Sequence, residues 1–198
     1  MVKQERAART RESLVRAAAE VFAEEGFAAA SLAAISRRAG VSAGALHFHF
    51  EGKTSLALVV EERAAHTLRE AATVERGPLR ALVGSTYTLV EDTVVRAALA
   101  LCADSGHSSR VDLRRQWWSS AAELLAAAER AGLLAEGVSP QDVTRLVVAF
   151  TVGLDGVEPG RSARQLLSRI WTVVLPGIAS GEAAAAVLVE AVADNETD

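Results

Sequence analysis

Residues 31–53 read Ser31-Leu-Ala-Ala-Ile-Ser-Arg-Arg-Ala-Gly-Val-Ser-Ala-Gly-Ala-Leu-His-Phe-His-Phe-Glu-Gly-Lys53, and this stretch decides the fold. Ser31 is a candidate N-cap, since a hydroxyl oxygen there accepts from an amide of the turn that follows. Leu32, Ile35 and Ala39 then share one face of a short helix. Gly40 and Val41 make a tight turn, and Ser42 caps a second short helix through Ala43, Gly44, Ala45, Leu46 and His47. Two short helices joined by a glycine-bearing turn predict a helix-turn-helix. Leu46 and Phe50 are expected to point inward against Phe22 and Ile35. Ala43, Gly44 and Ala45 keep the second helix slim.

Upstream, Leu14, Ala17, Ala18, Val21 and Phe22 form the apolar face of a first helix that Gly26 stops. Downstream, a fourth helix is expected from Lys53 to about Glu70, and Arg76-Gly77-Pro78 marks a break. Leu79, Leu82, Val83, Thr86, Leu89 and Val90 give a helical stripe, residues 94–103 another helix, and Asp104–Arg110 a polar loop. Leu113–Arg130 reads as a long helix stopped by Gly132. Ser139-Pro140-Gln141-Asp142 starts the next, with Val143, Leu146, Val147, Phe150 and Leu154 on one face. Ser162-Ala163-Arg164-Gln165 is a capping box opening a helix with Leu166, Leu167, Ile170, Trp171, Val174 and Leu175, which Pro176-Gly177 kinks or ends. Glu182–Ala193 adds a last helix.

The chain has 198 residues, 50% hydrophobic and 23% charged, and a net charge of −4, which excludes a disordered chain and a polycationic nucleic-acid coat. An alanine-rich sequence with only 5% aromatic residues and no period-two alternation predicts an all-α fold. Cys102 is the single cysteine, so no internal disulfide forms. No apolar run approaches the ~20 residues that span a bilayer, and the N-terminal stretch lacks an apolar core. A cytoplasmic protein without membrane contact is therefore expected. The charge is uneven: residues 1–53 hold eight basic against six acidic side chains, so the remainder carries −6. A basic arm and an acidic helical body suggest two jobs in one chain.

The 31–53 stretch resembles the DNA-binding signature of the tetracycline-repressor (TetR) family, with its AGVS turn, its G-x-L-x-x-HF helix and the lysine that follows. The resemblance implies a three-helix DNA-binding domain over residues 1–53, a connecting helix over 54–76, and a ligand-binding and dimerisation domain over 77–198. The DNA-binding set it gives is Arg6, Arg9, Arg11, Ser31, Ser42, Ala43, Gly44, Ala45, His47, Phe48, His49 and Lys53. Lys53 is expected to reach a phosphate, and Arg6, Arg9 and Arg11 to form a mobile arm. The chain departs from the family at His47, usually a tyrosine, and at Thr54, usually an acid. A histidine-to-phosphate contact is expected to depend on pH.

Beyond that domain, Val94–Cys102, the Trp117-Trp118 pair, Glu123–Leu134, Arg169–Gly177 and the GALHFHF run resemble the γ-butyrolactone receptor branch of the TetR regulators. The resemblance implies a repressor of double-stranded operator DNA, released by a small apolar effector such as a γ-butyrolactone, working as a homodimer without a cofactor. An orphan pseudo-receptor sensing an antibiotic or pathway intermediate is the alternative within the class. Trp117 or Trp118 supplies the pocket's aromatic wall and an indole donor, with Tyr87, Leu99, Cys102, Val148 and Thr151 as further candidates. Trp171 is expected in the core or the dimer interface, and helices 139–154 and 162–178 are the expected interface helices. An enzyme built on Cys102 with His107 as base is the reading of another class; residues five apart across Gly106 make no preset dyad, and the expectation is no catalysis. His47 and His49 lie two apart and leave the helix on different faces, against a metal pair.

Overall fold

The computed structural model describes residues 2–73, 77–154 and 163–193. Ten helices run through the described residues: α1 (Val2–Ala29), α2 (Leu32–Ala39), α3 (Ala43–His49), α4 (Lys53–Ala71), α5 (Pro78–Glu91), α6 (Thr93–Ala103), α7 (Leu113–Arg130), α8 (Pro140–Gly153), α9 (Ala163–Ile178) and α10 (Gly181–Ala193). No strand occurs among the described residues, so the all-α expectation holds. No helix among them is long and apolar enough to cross a membrane.

Local chemistry sets the boundaries. Ser31 Oγ accepts from the Ala34 amide at 3.1 Å, Ser42 Oγ from Ala45 at 3.2 Å, and Ser139 Oγ from Asp142 at 3.3 Å. Asp92 caps α6 in the same way, accepting from the amides of Val94 and Val95, both at 2.9 Å. Gly40 ends α2 with φ at 68°, a left-handed conformation that other residues adopt at a cost. Gly26, with φ at 74°, breaks α1 where the sequence predicts a stop, and one further turn then runs to Ala29. Pro176 is accommodated inside α9, which continues to Ile178. Ser162 of the expected capping box lies outside the described residues.

The helices group into two compact units, Met1–Thr67 with Asp92–Arg114, and Leu68–Glu91 with Arg115–Asp198. This division by packing differs from the functional division read in the sequence: α6 and the segment leading to α7 belong with the first three helices. The core of the first unit holds Leu14, Ala18, Val21 and Phe22 of α1 with Ile35, Leu46, Phe50, Leu56, Val60, Ala97 and Leu101. Leu46 and Phe50 thus join Phe22 and Ile35, as their spacing predicts. Removing a side chain the size of Leu46 or Phe22 from such a core costs about 2–5 kcal/mol.

In the second unit, α9 contacts α5 and α10, and α5 contacts α8. Two tryptophans anchor it. Trp117 on α7 is fully buried and donates through Nε1 to Thr151 Oγ1 on α8 at 3.0 Å. Trp171 on α9 donates through Nε1 to Thr86 Oγ1 on α5 at 2.9 Å, and Phe150 meets its ring edge-on at 5.5 Å. Each indole brings a large apolar area inside, and each N–H finds an oxygen, as buried donors must.

Candidate nucleic-acid interface and effector residues

The two short helices carry the candidate interface because each is fixed at both ends and along one side. Ser36 Oγ donates to the Val41 carbonyl at 2.6 Å, and the Val41 amide donates to the Ser36 carbonyl at 3.1 Å, which staples the turn between α2 and α3. Arg38 pairs with Glu24 at 2.7 Å, holding α2 on α1. With Leu46 and Phe50 buried, α3 has only one face to show. That face carries Ala43, Gly44, His47 and Phe48, all exposed, with Ala45 and His49 half-buried beside them. Phe48 is 81% exposed, a large apolar side chain on the outer face of the helix. Its ring is edge-on to His49, with centroids 5.1 Å apart. A Cβ on Gly44 would meet only Ser42 Oγ, at 4.0 Å, so the surface there is open. Such a slim, outward helix with donors at its rim fits a major groove.

One expectation for the basic side chains is corrected. Arg6, Arg9 and Arg11 form no separate arm: they lie exposed on helix α1, which begins at Val2. Their positions are set by the helix, and the Arg11 guanidinium rests over the Phe50 ring at 5.2 Å. The Lys53 side chain lies against the end of α1. Its ammonium donates to the carbonyls of Phe27 at 2.5 Å and Ala30 at 2.9 Å, with that of Ala28 at 3.4 Å. It also lies over the Phe27 ring, 4.4 Å from the centroid. The charge answers the carbonyl end of the last α1 turn, where a cation is favoured.

The same turn is met at its amide end by Asp104, a residue sequence reasoning left in a loop. Its Oδ2 accepts from the amides of Phe27 at 2.8 Å and Ala28 at 3.1 Å, and Oδ1 from Gly106 at 2.8 Å. The Gly106 and Ala28 amides, with that of Phe27, hold the Asp104 carboxyl below the usual aspartate range, helped by nearby His107. Glu12 and Arg63 form a further tie between α1 and α4, with Arg63 Nη2 at 2.6 Å from Glu12 Oε2; this hydrogen bond lowers the Glu12 pKa.

The effector candidates divide between the two units. Trp117, Trp118, Tyr87, Val148 and Thr151 lie in the second unit, whereas Leu99 and Cys102 sit on α6 in the first. Cys102 Sγ donates to the Val111 carbonyl at 3.4 Å, and His107 pairs with Glu61, so the two turn to different partners. The adjacent tryptophans separate as helical geometry requires: Trp117 is buried and Trp118 is 43% exposed. Trp117 and Thr151 are joined by the hydrogen bond already described. Tyr87 lies under the Arg164 guanidinium, 5.4 Å from the ring centroid, and burial raises its pKa. Trp171 is core. Among the described residues no cluster of three or more histidine, cysteine or acidic side chains is placed to hold a metal.

The family described as bacterial regulatory proteins, tetR family, matches residues 14–60, which hold α2, α3 and parts of α1 and α4. The A-factor receptor protein of Streptomyces griseus is 29% identical over 187 residues, covering 90% of this chain and 67% of that protein. The HTH-type transcriptional regulator BetI of Vibrio parahaemolyticus is 32% identical over 148 residues, covering 64% of this chain and 73% of its own. A solved γ-butyrolactone receptor, an ArpA-like protein, superposes with a TM-score of 0.76 at 27% identity, covering 97% of this chain and 99% of that one. The TetR family protein CprB from Streptomyces coelicolor, solved with its biological operator sequence, gives a TM-score of 0.78 at 27% identity, covering 98% and 99%.

Proposed function

The chain belongs to the tetR family of bacterial regulatory proteins, and from that premise we propose that it is a repressor that reads operator DNA through α3 and is released by a small apolar effector. One observation carries the reading: α3 is anchored by buried Leu46 and Phe50 and turns Ala43, Gly44, His47 and an 81%-exposed Phe48 outward. Phe48 is suited to apolar contact with a thymine methyl, His47 to a phosphate, and the exposed Arg6 and Arg9 of α1 to neighbouring backbone. Ser31 and Ser42 serve mainly as helix caps. Lys53 acts on DNA chiefly by fixing where α1 ends.

Residues 1–53 are then the reader, 54–76 the connection and 77–198 the effector and dimer region. The likeness to an ArpA-like receptor supports a γ-butyrolactone as effector. Trp117, inside the second unit with its N–H engaged by Thr151, is the indole suited to a lactone carbonyl, which would take Thr151's place as acceptor. The homodimer is supported by apolar side chains left on the outside of α8 and α9, with Leu146 45% and Val173 79% exposed. Two heads on one duplex need fixed spacing, which a symmetric dimer provides. Effector binding lowers operator affinity only by its preference for one of two arrangements.

The test is a mobility shift with the full chain on the DNA upstream of its own gene, with and without a synthetic acyl-γ-butyrolactone. Retardation reversed by the lactone is expected. Retardation that the lactone leaves unchanged sinks the lactone assignment, and no preference over unrelated duplex sinks the repressor reading.

A further inference from the structure

Helices α4 and α7 each carry residues of both compact units, the division falling between Thr67 and Leu68 in one and between Arg114 and Arg115 in the other. Within the first unit a buried carboxylate of α4 meets the segment that enters α7. Glu61 lies on α4, and its side chain is 1% exposed. Its Oε1 is 2.7 Å from His107 Nε2, and its Oε2 accepts the Arg110 amide at 3.1 Å. His107 and Arg110 belong to the segment that enters α7 at Leu113. The His107 side chain is only 2% exposed, so the pair is shut away from water. An ionised Glu61 offers only acceptors, and against it His107 Nε2 is the donor.

The segment is also fastened to the DNA-reading helices. The His107 ring lies against Phe27, with centroids 4.5 Å apart, and Asp104 holds the Phe27 and Ala28 amides. Lys53, at the start of α4, holds the carbonyls of that same turn. Among the charged groups near His107, Glu61 lies on α4 and Asp104 just after α6. Glu61 ties α4 to the entry of α7 at the place where α1 hands the chain to α2 and α3. A buried carboxylate with two donors has no water to replace a lost partner, so α4 and α7 cannot shift against each other at this point without breaking it.

We propose that Glu61 is a positioning residue within the first unit, holding α4 and the segment that enters α7 in the register that fits operator DNA. The proposal rests on the repressor reading. By linkage, if this register favours DNA, bound DNA must favour the register in return.

The test uses the full chain and a duplex it selects from a random-sequence DNA pool, with amide hydrogen exchange as readout. Bound duplex is expected to slow exchange at Arg110, Phe27 and Ala28 by about tenfold, within the usual span of coupling between sites. Glu61→Gln and His107→Leu are expected to lose that protection and about tenfold in operator affinity, with affinity for unrelated duplex unchanged. His107→Gln, whose Nε2 donates from the same place, restores both to within threefold, which a merely space-filling role would not do. Unchanged Arg110 exchange on binding overturns the proposal. So does full operator affinity in Glu61→Gln, and if that variant does not fold, equal affinity in His107→Gln and His107→Leu. Selection that recovers no duplex overturns the repressor reading and this proposal together, and is told apart by that result.

Discussion

Replacing Thr151 with valine keeps the shape of the side chain and removes one oxygen. That oxygen is the acceptor for the Trp117 indole N–H at 3.0 Å, and both residues are buried. Thr151 Oγ1 also donates to the Val147 carbonyl at 2.6 Å, but that carbonyl belongs to the α8 ladder and is not orphaned by the change. The loss is thus concentrated on the indole N–H, left inside the protein without water. An unsatisfied buried donor costs about 1–3 kcal/mol. In a chain of this size 1 kcal/mol moves the melting temperature by about 2–4 °C, so a fall of roughly 2–12 °C is expected. Thr86→Val makes an internal control, because it strips the acceptor from Trp171 at 2.9 Å in the same way. Thermal melts followed by circular dichroism at one protein concentration measure both. The two variants should lose similar stability, while lactone-driven release from DNA should change only in Thr151→Val. A Thr151→Val protein that melts at or above the wild-type temperature refutes the hydrogen-bond argument. Equal loss of lactone response in both variants refutes the assignment of Trp117 to the pocket.

Lys53→Met strands the Phe27 and Ala30 carbonyls and should destabilise the first unit by about 1.5–3 kcal/mol in chemical denaturation, the worth of charge-assisted bonds. It should leave the slope of log affinity against log salt nearly unchanged, whereas Arg6→Ala or Arg9→Ala should each reduce that slope by about one if those side chains meet phosphates. Gly40→Ala carries backbone strain alone, since nothing lies within 4 Å of the added Cβ, and should cost about 1 kcal/mol. Gly26→Ala forces a side chain into φ 74° with ψ 173°, a region almost only glycine adopts, sets its Cβ 3.3 Å from Asp104 Oδ2, and should cost more; equal melting of the two variants would contradict this. Asp104 has a lowered pKa in the fold, so its stabilisation is complete above the unfolded aspartate value of about 3.9 and is lost as pH falls through the lowered one. Asp104→Asn should flatten that acid limb of a stability–pH curve.

Periodicity and caps made most of the helices legible. Ser31, Ser42 and Ser139 act as the caps their spacing announces, and Leu46 and Phe50 go inward, as their helical spacing predicts, while Phe48 stays outside. The recognition face was legible for the same reason. The companionship of α6 was not. Its apolar stripe says that one side is buried, and nothing local says whether the cover is α1 or a helix of the body. Asp104, His107 and Glu61 escaped because their meaning lies in separations of 46 to 77 residues, which no periodicity encodes. The carbonyl partners of Lys53 escaped for a related reason. A lysine after a recognition helix suits a phosphate by charge, but the three carbonyls at the end of α1 compete for the same three donors and lie within reach.

The account rests on α3 lying in a groove, and Gly44→Leu tests that most directly. The position is exposed and has room for a side chain, so the variant should melt no lower than wild type. A leucine there holds the helix away from the bases, and operator affinity in a fluorescence titration should fall about a hundredfold, roughly 2.7 kcal/mol. A Gly44→Leu protein that folds like wild type and binds its operator as tightly would contradict the account.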